Sequence, residues 1–306
     1  MFANTRYNYR SFTRDLLSRE ILRGKAGGPK PGDKAPDFAL KSLDGEKIRL
    51  SDFFGEHNIV LTFGSATCPM TAGSIRGMNA LHDEYHREDV EFLFVYVREA
   101  HPGEELPAHD SMKDKIEAAE LLREEEEVEM PILVDELDGT VHRRYGGLPN
   151  PTYLIDKTGR VAFRALWTRP SVIEEALDEL LQRQEEDEGE HIVVRDGEYR
   201  SFPVRYGMLH SHRALERGGK RAVREFRSAM GAPGRLAVAT SRMAEPVTLH
   251  PFRVLAGAVI TGTVIIAGII AGLKLRERRL QMRSPYYFPR PQRHREESGG
   301  YEAVGI

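Results

Sequence analysis

The chain has 306 residues, 40% of them hydrophobic and 30% charged, with a net charge of -3. That length exceeds one typical domain, and the near-neutral balance excludes a global electrostatic signature for nucleic acid, so no nucleic-acid partner is expected. The single cysteine, Cys68, excludes an intramolecular disulfide and any metal site built on paired cysteines.

Residues 1–29 read as an N-terminal extension. They carry arginines but no apolar segment of the kind that marks a secretory signal. Phe12, Leu16, Leu17 and Ile21 fall on one side of a short helix. Ala26-Gly-Gly-Pro-Lys-Pro-Gly32 is a linker by composition, opening a domain over 30–186. Asp44-Gly45 between Asp37–Lys41 and Lys47–Leu50 is a hairpin signal. Asn58–Phe63 and Val90–Val97 are apolar without alternation, as central strands covered on both faces are. Ile75, Met78, Leu81 and Tyr85 give a helix over Thr71–His86 its inner face, and a second helix is expected over Asp114–Glu127. Pro131–Asp135, Thr152–Ile155 and Arg160–Leu166 read as strands, the last two joined by a turn at Asp156–Gly159. Ser171-Val-Ile-Glu174 reads as a capping box opening a further helix. Strands alternating with helices predict an α/β layer with a largely parallel sheet and an antiparallel hairpin at its edge.

Residues 187–250 form an extension of unknown fold. It holds a strand-like Ile192–Arg195 and a basic helix over Ala214–Met230, and is expected to pack on the first domain or the membrane interface. Val254–Leu273 is an uncharged run of 20 residues, long enough at about 1.5 Å per residue to span a bilayer, so a single-pass transmembrane helix is expected within 251–274. The basic flank Lys274, Arg276, Arg278 and Arg279 would stay cytoplasmic, whereas the missing export signal argues the reverse, and orientation stays undecided. Gly268-Ile-Ile-Ala-Gly272 is a spacing that allows close contact with a second copy of the helix. Residues 275–306 read as a disordered basic tail.

The chemistry centres on Cys68. A strand feeds the loop Gly64-Ser-Ala-Thr67, and Cys68-Pro69 opens a helix. There the backbone N–H groups and helix dipole favour a thiolate. Two further loops fall at strand ends on the same side: Glu99-Ala-His101 and Leu148-Pro-Asn-Pro-Thr152. Together they offer an attacking sulfur, a carboxylate–imidazole pair to move a proton and a backbone ledge for substrate. Pro151 is a candidate cis position, and the scattered histidines lack metal-site spacing.

Residues 30–184 resemble the thioredoxin-like superfamily in its peroxiredoxin-like redoxin branch. Within it they are most similar to the iodothyronine deiodinases and their bacterial relatives. The carrying residues are Ala35-Pro-Asp-Phe-Ala-Leu40, Phe63-Gly-Ser-Ala-Thr-Cys-Pro69, Val95-Tyr-Val-Arg-Glu-Ala-His101, Val134-Asp135 and Tyr145-Gly-Gly-Leu-Pro149. The resemblance implies a thioredoxin-like fold with an N-terminal hairpin. It places Cys68 where the deiodinases carry selenocysteine, with Glu99, His101, Ser65, Thr67 and Tyr96 around it and the Pro151-Thr152 loop against the substrate. Ala66 and Thr71 stand where a resolving thiol would be, so dithiol chemistry within one chain is excluded. The expectation is a membrane-anchored monothiol oxidoreductase without bound cofactor. Cys68 attacks a peroxide or a halogenated substrate, His101 oriented by Glu99 handles the proton, and Ser65 and Thr67 donate to the sulfur. An external thiol, small or carried by a thioredoxin-like protein, restores Cys68. The competing expectation is a redox-silent thioredoxin-fold binding module tethered to the membrane.

Overall fold

The computed structural model describes residues 7–18, 27–85, 89–186 and 191–249. Among them, eight strands form one sheet: β1 (Ala39–Ser42), β2 (Lys47–Arg49), β3 (Asn58–Gly64), β4 (Val90–Tyr96), β5 (Ile132–Val134), β6 (Thr152–Ile155), β7 (Val161–Ala165) and β8 (Glu198–Tyr199). Their order is β2-β1-β5-β4-β3-β6-β7-β8. β3 and β4 are the apolar runs of the sequence, and each sends alternate side chains to two separate cores. Val60, Phe92 and Phe94 meet Ile75, Met78 and Leu81 of α1 (Pro69–Tyr85), Leu122 of α2 (Met112–Glu126), and Ile173, Leu177 and Leu180 of α4 (Pro170–Glu186). Ile59, Leu61, Phe63, Leu93 and Val95 meet Phe38, Leu50, Tyr153, and Val141 and Tyr145 around α3 (Thr140–Arg144). Truncating one such leucine to alanine costs about 2–5 kcal/mol.

The sheet is mixed rather than largely parallel. β3–β4 and β4–β5 run parallel, but β6 joins β3 antiparallel at the centre of the sheet. The β6–β7 hairpin therefore lies inside the sheet, and β8 takes the outer edge of β7. Two local expectations also change. α4 starts at Pro170, where a residue without an N–H suits the first helical position, so Ser171 lies inside the helix and is no cap. The capping box sits instead at Ser111 and Asp114, opening α2.

The extension places its strand at β8 rather than over Ile192–Arg195, and then folds as three helices, α5 (Val204–Gly218), α6 (Lys220–Met230) and α7 (Ala232–Leu249). The basic helix expected over Ala214–Met230 is broken at Gly219, whose φ of 93° suits glycine. Leu215, Phe226, Ala229, Ala237 and Val238 share a third core with Phe12, Leu16 and Leu17 from the N-terminal segment. The two flanks of the domain thus meet on each other. Among the described residues no helix is long and apolar enough to cross a membrane. The expected span at 254–273 and the tail at 275–306 lie outside the described residues.

Candidate functional site

Sheet register brings the three loops together. Gly64 pairs with Tyr96 across β3–β4, so the Ser65–Cys68 and Arg98–His101 segments leave the sheet at the same level. Thr62 pairs with Thr152, which carries the 148–151 loop to that edge from the other side. Asn150 Nδ2 donates to Phe63 O at 2.9 Å, and Phe63 N–H donates to Pro151 O at 3.0 Å. Among the described residues no peptide bond is cis, so Pro151 enters β6 in the trans form, held by that strand pairing.

Cys68 directly precedes α1 and is 2% exposed. Burial pushes its thiol up, and the Glu99 charge adds to this; N–H groups of Thr71 and Met70 and the Thr71 hydroxyl pull the other way. Thr71, rather than Ser65 or Thr67, is thus the hydroxyl that serves the sulfur. Gly64 makes room for it, because a Cβ there would lie 2.6 Å from Thr71 Oγ1. Ser65 Oγ accepts from Ala100 N–H at 3.2 Å instead.

Glu99, 2% exposed, is the polar hub. Its Oε2 accepts from Thr67 N–H at 2.9 Å and Thr67 Oγ1 at 2.6 Å, and its Oε1 accepts from the Tyr96 hydroxyl. His109 Nε2 lies 3.3 Å from Oε1. Burial alone would raise this carboxyl, but His109, Thr67 and Tyr96 hold it below its ordinary range. Tyr96 also accepts from Ala66 N–H at 3.3 Å, so it belongs to the Glu99 network. The sequence does not point to His109, since a lone histidine in the loop before α2 carries no spacing signal.

His101 is placed differently from its expected role. Its backbone N–H donates to Thr67 Oγ1 at 2.9 Å, but its ring sits edge-on to Phe12 at 4.3 Å and to Phe226 at 5.1 Å. Burial pushes the imidazole down to about 3, against the Glu99 charge, and among the described residues Nδ1 has no hydrogen-bond partner. Thr152 is fully buried, its hydroxyl bonded to Thr62 at 3.1 Å and Thr168 at 2.7 Å.

The outer wall of the thiol is apolar: Met70, Ala100, Leu148, Leu166, Trp167 and Tyr206 cluster with Cys68. Tyr206 comes from α5 and lies so close to α1 that a Cβ on Gly73 would be 2.6 Å from its ring. Arg217, also on α5, reaches the loop itself, donating from Nη1 to Ala66 O at 2.9 Å. Away from the thiol, His82, Asp83 and Glu129 bring three metal-capable ligand atoms within 4.8 Å of one another.

A thiol thus stands at the start of the helix that follows a central strand, on the mixed sheet of a thioredoxin-like α/β fold. Residues 31–164 match the AhpC/TSA family and form an AhpC/TSA thioredoxin-like domain. The chain is 31% identical over 137 residues to thyroxine 5-deiodinase of Gallus gallus, covering 41% of this chain and 52% of that protein. It is 29% identical over 131 residues to the thiol-disulfide oxidoreductase ResA of Bacillus thuringiensis subsp. konkukian (strain 97-27), covering 42% and 66%. The chain thus spans about half the length of that deiodinase. The solved structure of Peroxidoxin BcpB from Mycobacterium tuberculosis aligns at a TM-score of 0.39 with 20% identity, covering 51% of this chain and 97% of that one.

Proposed function

We propose that this redoxin-type protein is a monothiol oxidoreductase in which Cys68 reduces a peroxide or removes halogen from an organic substrate. The observation that carries the reading is the sulfur's setting: Cys68 stands directly before α1, where the N–H groups of Thr71 and Met70 and the Thr71 hydroxyl favour its thiolate against burial, one residue from the Glu99-held Thr67. With a peroxide, the thiolate attacks one oxygen and the O–O bond breaks. The leaving alkoxide takes a proton, and Cys68 becomes a sulfenic acid. One external thiol condenses with it, releasing water and forming a mixed disulfide; a second thiol frees Cys68 and leaves as the disulfide. With a halogenated substrate the same attack gives a sulfenyl halide, reduced by the same two thiols, while the substrate carbon takes a proton. His101 supplies or takes that proton once Phe12 and Phe226 part from its ring. The apolar stretch 254–273 tethers the domain to a bilayer, where Gly268 and Gly272 allow pairing with a second copy.

Peroxide consumption driven by a dithiol, measured for the wild type and Cys68→Ser, tests the reading. Equal turnover by both proteins overturns it. The redox-silent binding module is favoured by one specific observation, the burial that raises the Cys68 thiol. It predicts alkylation with a midpoint at or above the ~8.5 of free cysteine, where the enzyme reading predicts a lower one on opening of the cover.

A further inference from the structure

We propose that Arg217, on α5 and outside the AhpC/TSA domain, is a positioning residue for Cys68 that acts through the Ala66–Thr67 peptide. The inference rests on the reading of Cys68 as the reacting thiol. The carbonyl of Ala66 and the N–H of Thr67 belong to one planar unit. Arg217 Nη1 donates to that carbonyl at 2.9 Å, and that N–H donates to Glu99 Oε2 at 2.9 Å. A guanidinium sits on the negative end of the peptide dipole and a carboxylate on its positive end. Both bonds are charge-assisted, and together they fix the plane from which the chain passes to Cys68. Only one residue separates that peptide from the sulfur-bearing carbon.

Arg217 is itself held rigidly. Its side chain is 4% exposed, with Nε on Glu125 and Nη2 on Glu126 of α2. Glu126 also accepts from Arg213 Nη2 at 2.5 Å. A guanidinium engages three partners in fixed directions, which a lysine ammonium cannot do. The helical extension is therefore a working part of the thiol site as well as its cover. Backbone contacts set its distance: Glu105 N–H donates to Gly218 O at 3.2 Å, and a Cβ on Gly103 would lie 1.7 Å from that oxygen.

The test uses the full chain as wild type, Arg217→Ala, Arg217→Lys and Glu126→Gln, each shown to be native by near-ultraviolet dichroism. Two rates are read at Cys68: oxidation by hydrogen peroxide and alkylation by iodoacetamide, the latter across pH. Loosening of the cover alone raises both rates together and leaves their ratio unchanged. Positioning predicts that the oxidation-to-alkylation ratio falls about tenfold in Arg217→Ala, the worth of one hydrogen bond to a charged group, with no recovery in Arg217→Lys. An unchanged ratio in folded Arg217→Ala overturns the inference. If Arg217→Ala does not fold, Glu126→Gln decides: it keeps the packing and frees one guanidinium nitrogen, so a smaller fall supports the inference and an unchanged ratio overturns it. Wild-type Cys68 that meets peroxide no faster than a free thiol sinks the catalytic reading instead. In that event the pH midpoint of alkylation decides for Arg217, shifting in Arg217→Lys if the peptide is held as described and staying put if it is not.

Discussion

The thioredoxin-like layer and the flanking helices treat two histidines in opposite ways. His109 lies in a loop of the layer and meets the buried Glu99 carboxylate at 3.3 Å. His101, two residues from Glu99, presents its ring to Phe12 and Phe226 from the flanks instead. In the layer, strand register brings the Glu99 carboxylate its donors. In the flanks, apolar groups close over a polar ring and suppress its charge. The layer therefore carries the thiol loop and the Glu99 network, and the flanks cover the His101 ring.

The largest expected effects fall on the layer. Cys68→Ser should lower dithiol-driven peroxide turnover by at least about 10³-fold, the usual order for loss of a nucleophile. Residual turnover at the wild-type rate would move the chemistry away from this loop altogether. Glu99→Gln comes next. It removes a buried charge that holds Thr67 and Tyr96, and a hydrogen bond to a charged group contributes about 1.5–3 kcal/mol. Chemical denaturation reads this directly. A loss under about 1 kcal/mol would mean that the network is not the hub of the site.

Phe226→Ala tests the flanks with a cost of about 3–5 kcal/mol and a different distribution. Its ring touches His101 and stacks on Phe12 at 6.3 Å, inside the third core rather than the two sheet cores. Hydrogen exchange should rise along α5 to α7 and in the Phe12 segment, while β3 and β4 keep their protection. Equal loss in both regions would show that layer and flanks unfold as one body, and the contrast between them would collapse.

What is legible in the sequence follows the same division. β3 and β4 can be read because unbroken apolar runs ending at Gly64 and Tyr96 have one physical solution, a strand covered on both faces. That Cys68, Ser65, Thr67, Glu99 and Tyr96 lie together follows, since each is within a few residues of a readable strand end; that Ser65 meets Ala100 and Thr67 meets Glu99, rather than the sulfur, does not. The direction of β6 does not, because the short α3 connection reverses the chain in a way that composition leaves free. By position Thr71 reads as a missing second cysteine, whereas its hydroxyl is the sulfur's partner. Arg217 and Phe226 are invisible as site residues: Arg217 Nη1 meets Ala66, 151 positions away. Such contacts arise from packing of a helix whose own pattern says only that one face is apolar.

The finest comparison is between buried histidines, and pH separates them. Burial pushes His142 in the layer and His101 beneath the flanks each down to about 3. His210 on α5 is pushed down to about 4 by burial and neighbouring arginines. An unfolded histidine takes a proton near pH ~6.5, and the folded ones do not. Each therefore contributes stability that is complete above that value and is lost as pH falls toward the folded pKa, by about 1.4 kcal/mol per unit. Glu99, held low, is lost only below the ordinary carboxylate range, near ~4.3, while burial raises Glu91 and Asp135; comparing urea midpoints of a histidine variant with wild type between pH ~5 and ~6.5 cancels those carboxyls and isolates that histidine. His142 cannot be replaced without loss, because Nδ1 meets the Tyr7 hydroxyl at 2.8 Å and Nε2 meets Leu148 O at 2.7 Å. His101→Phe surrenders no ring hydrogen bond at Nδ1 and keeps an aromatic face between Phe12 and Phe226. That substitution should flatten the slope by one histidine's share and leave the protein more stable than wild type at pH ~5. A slope identical to wild type would mean that the His101 ring meets water in solution, and that the flanks stand open over the thiol loop.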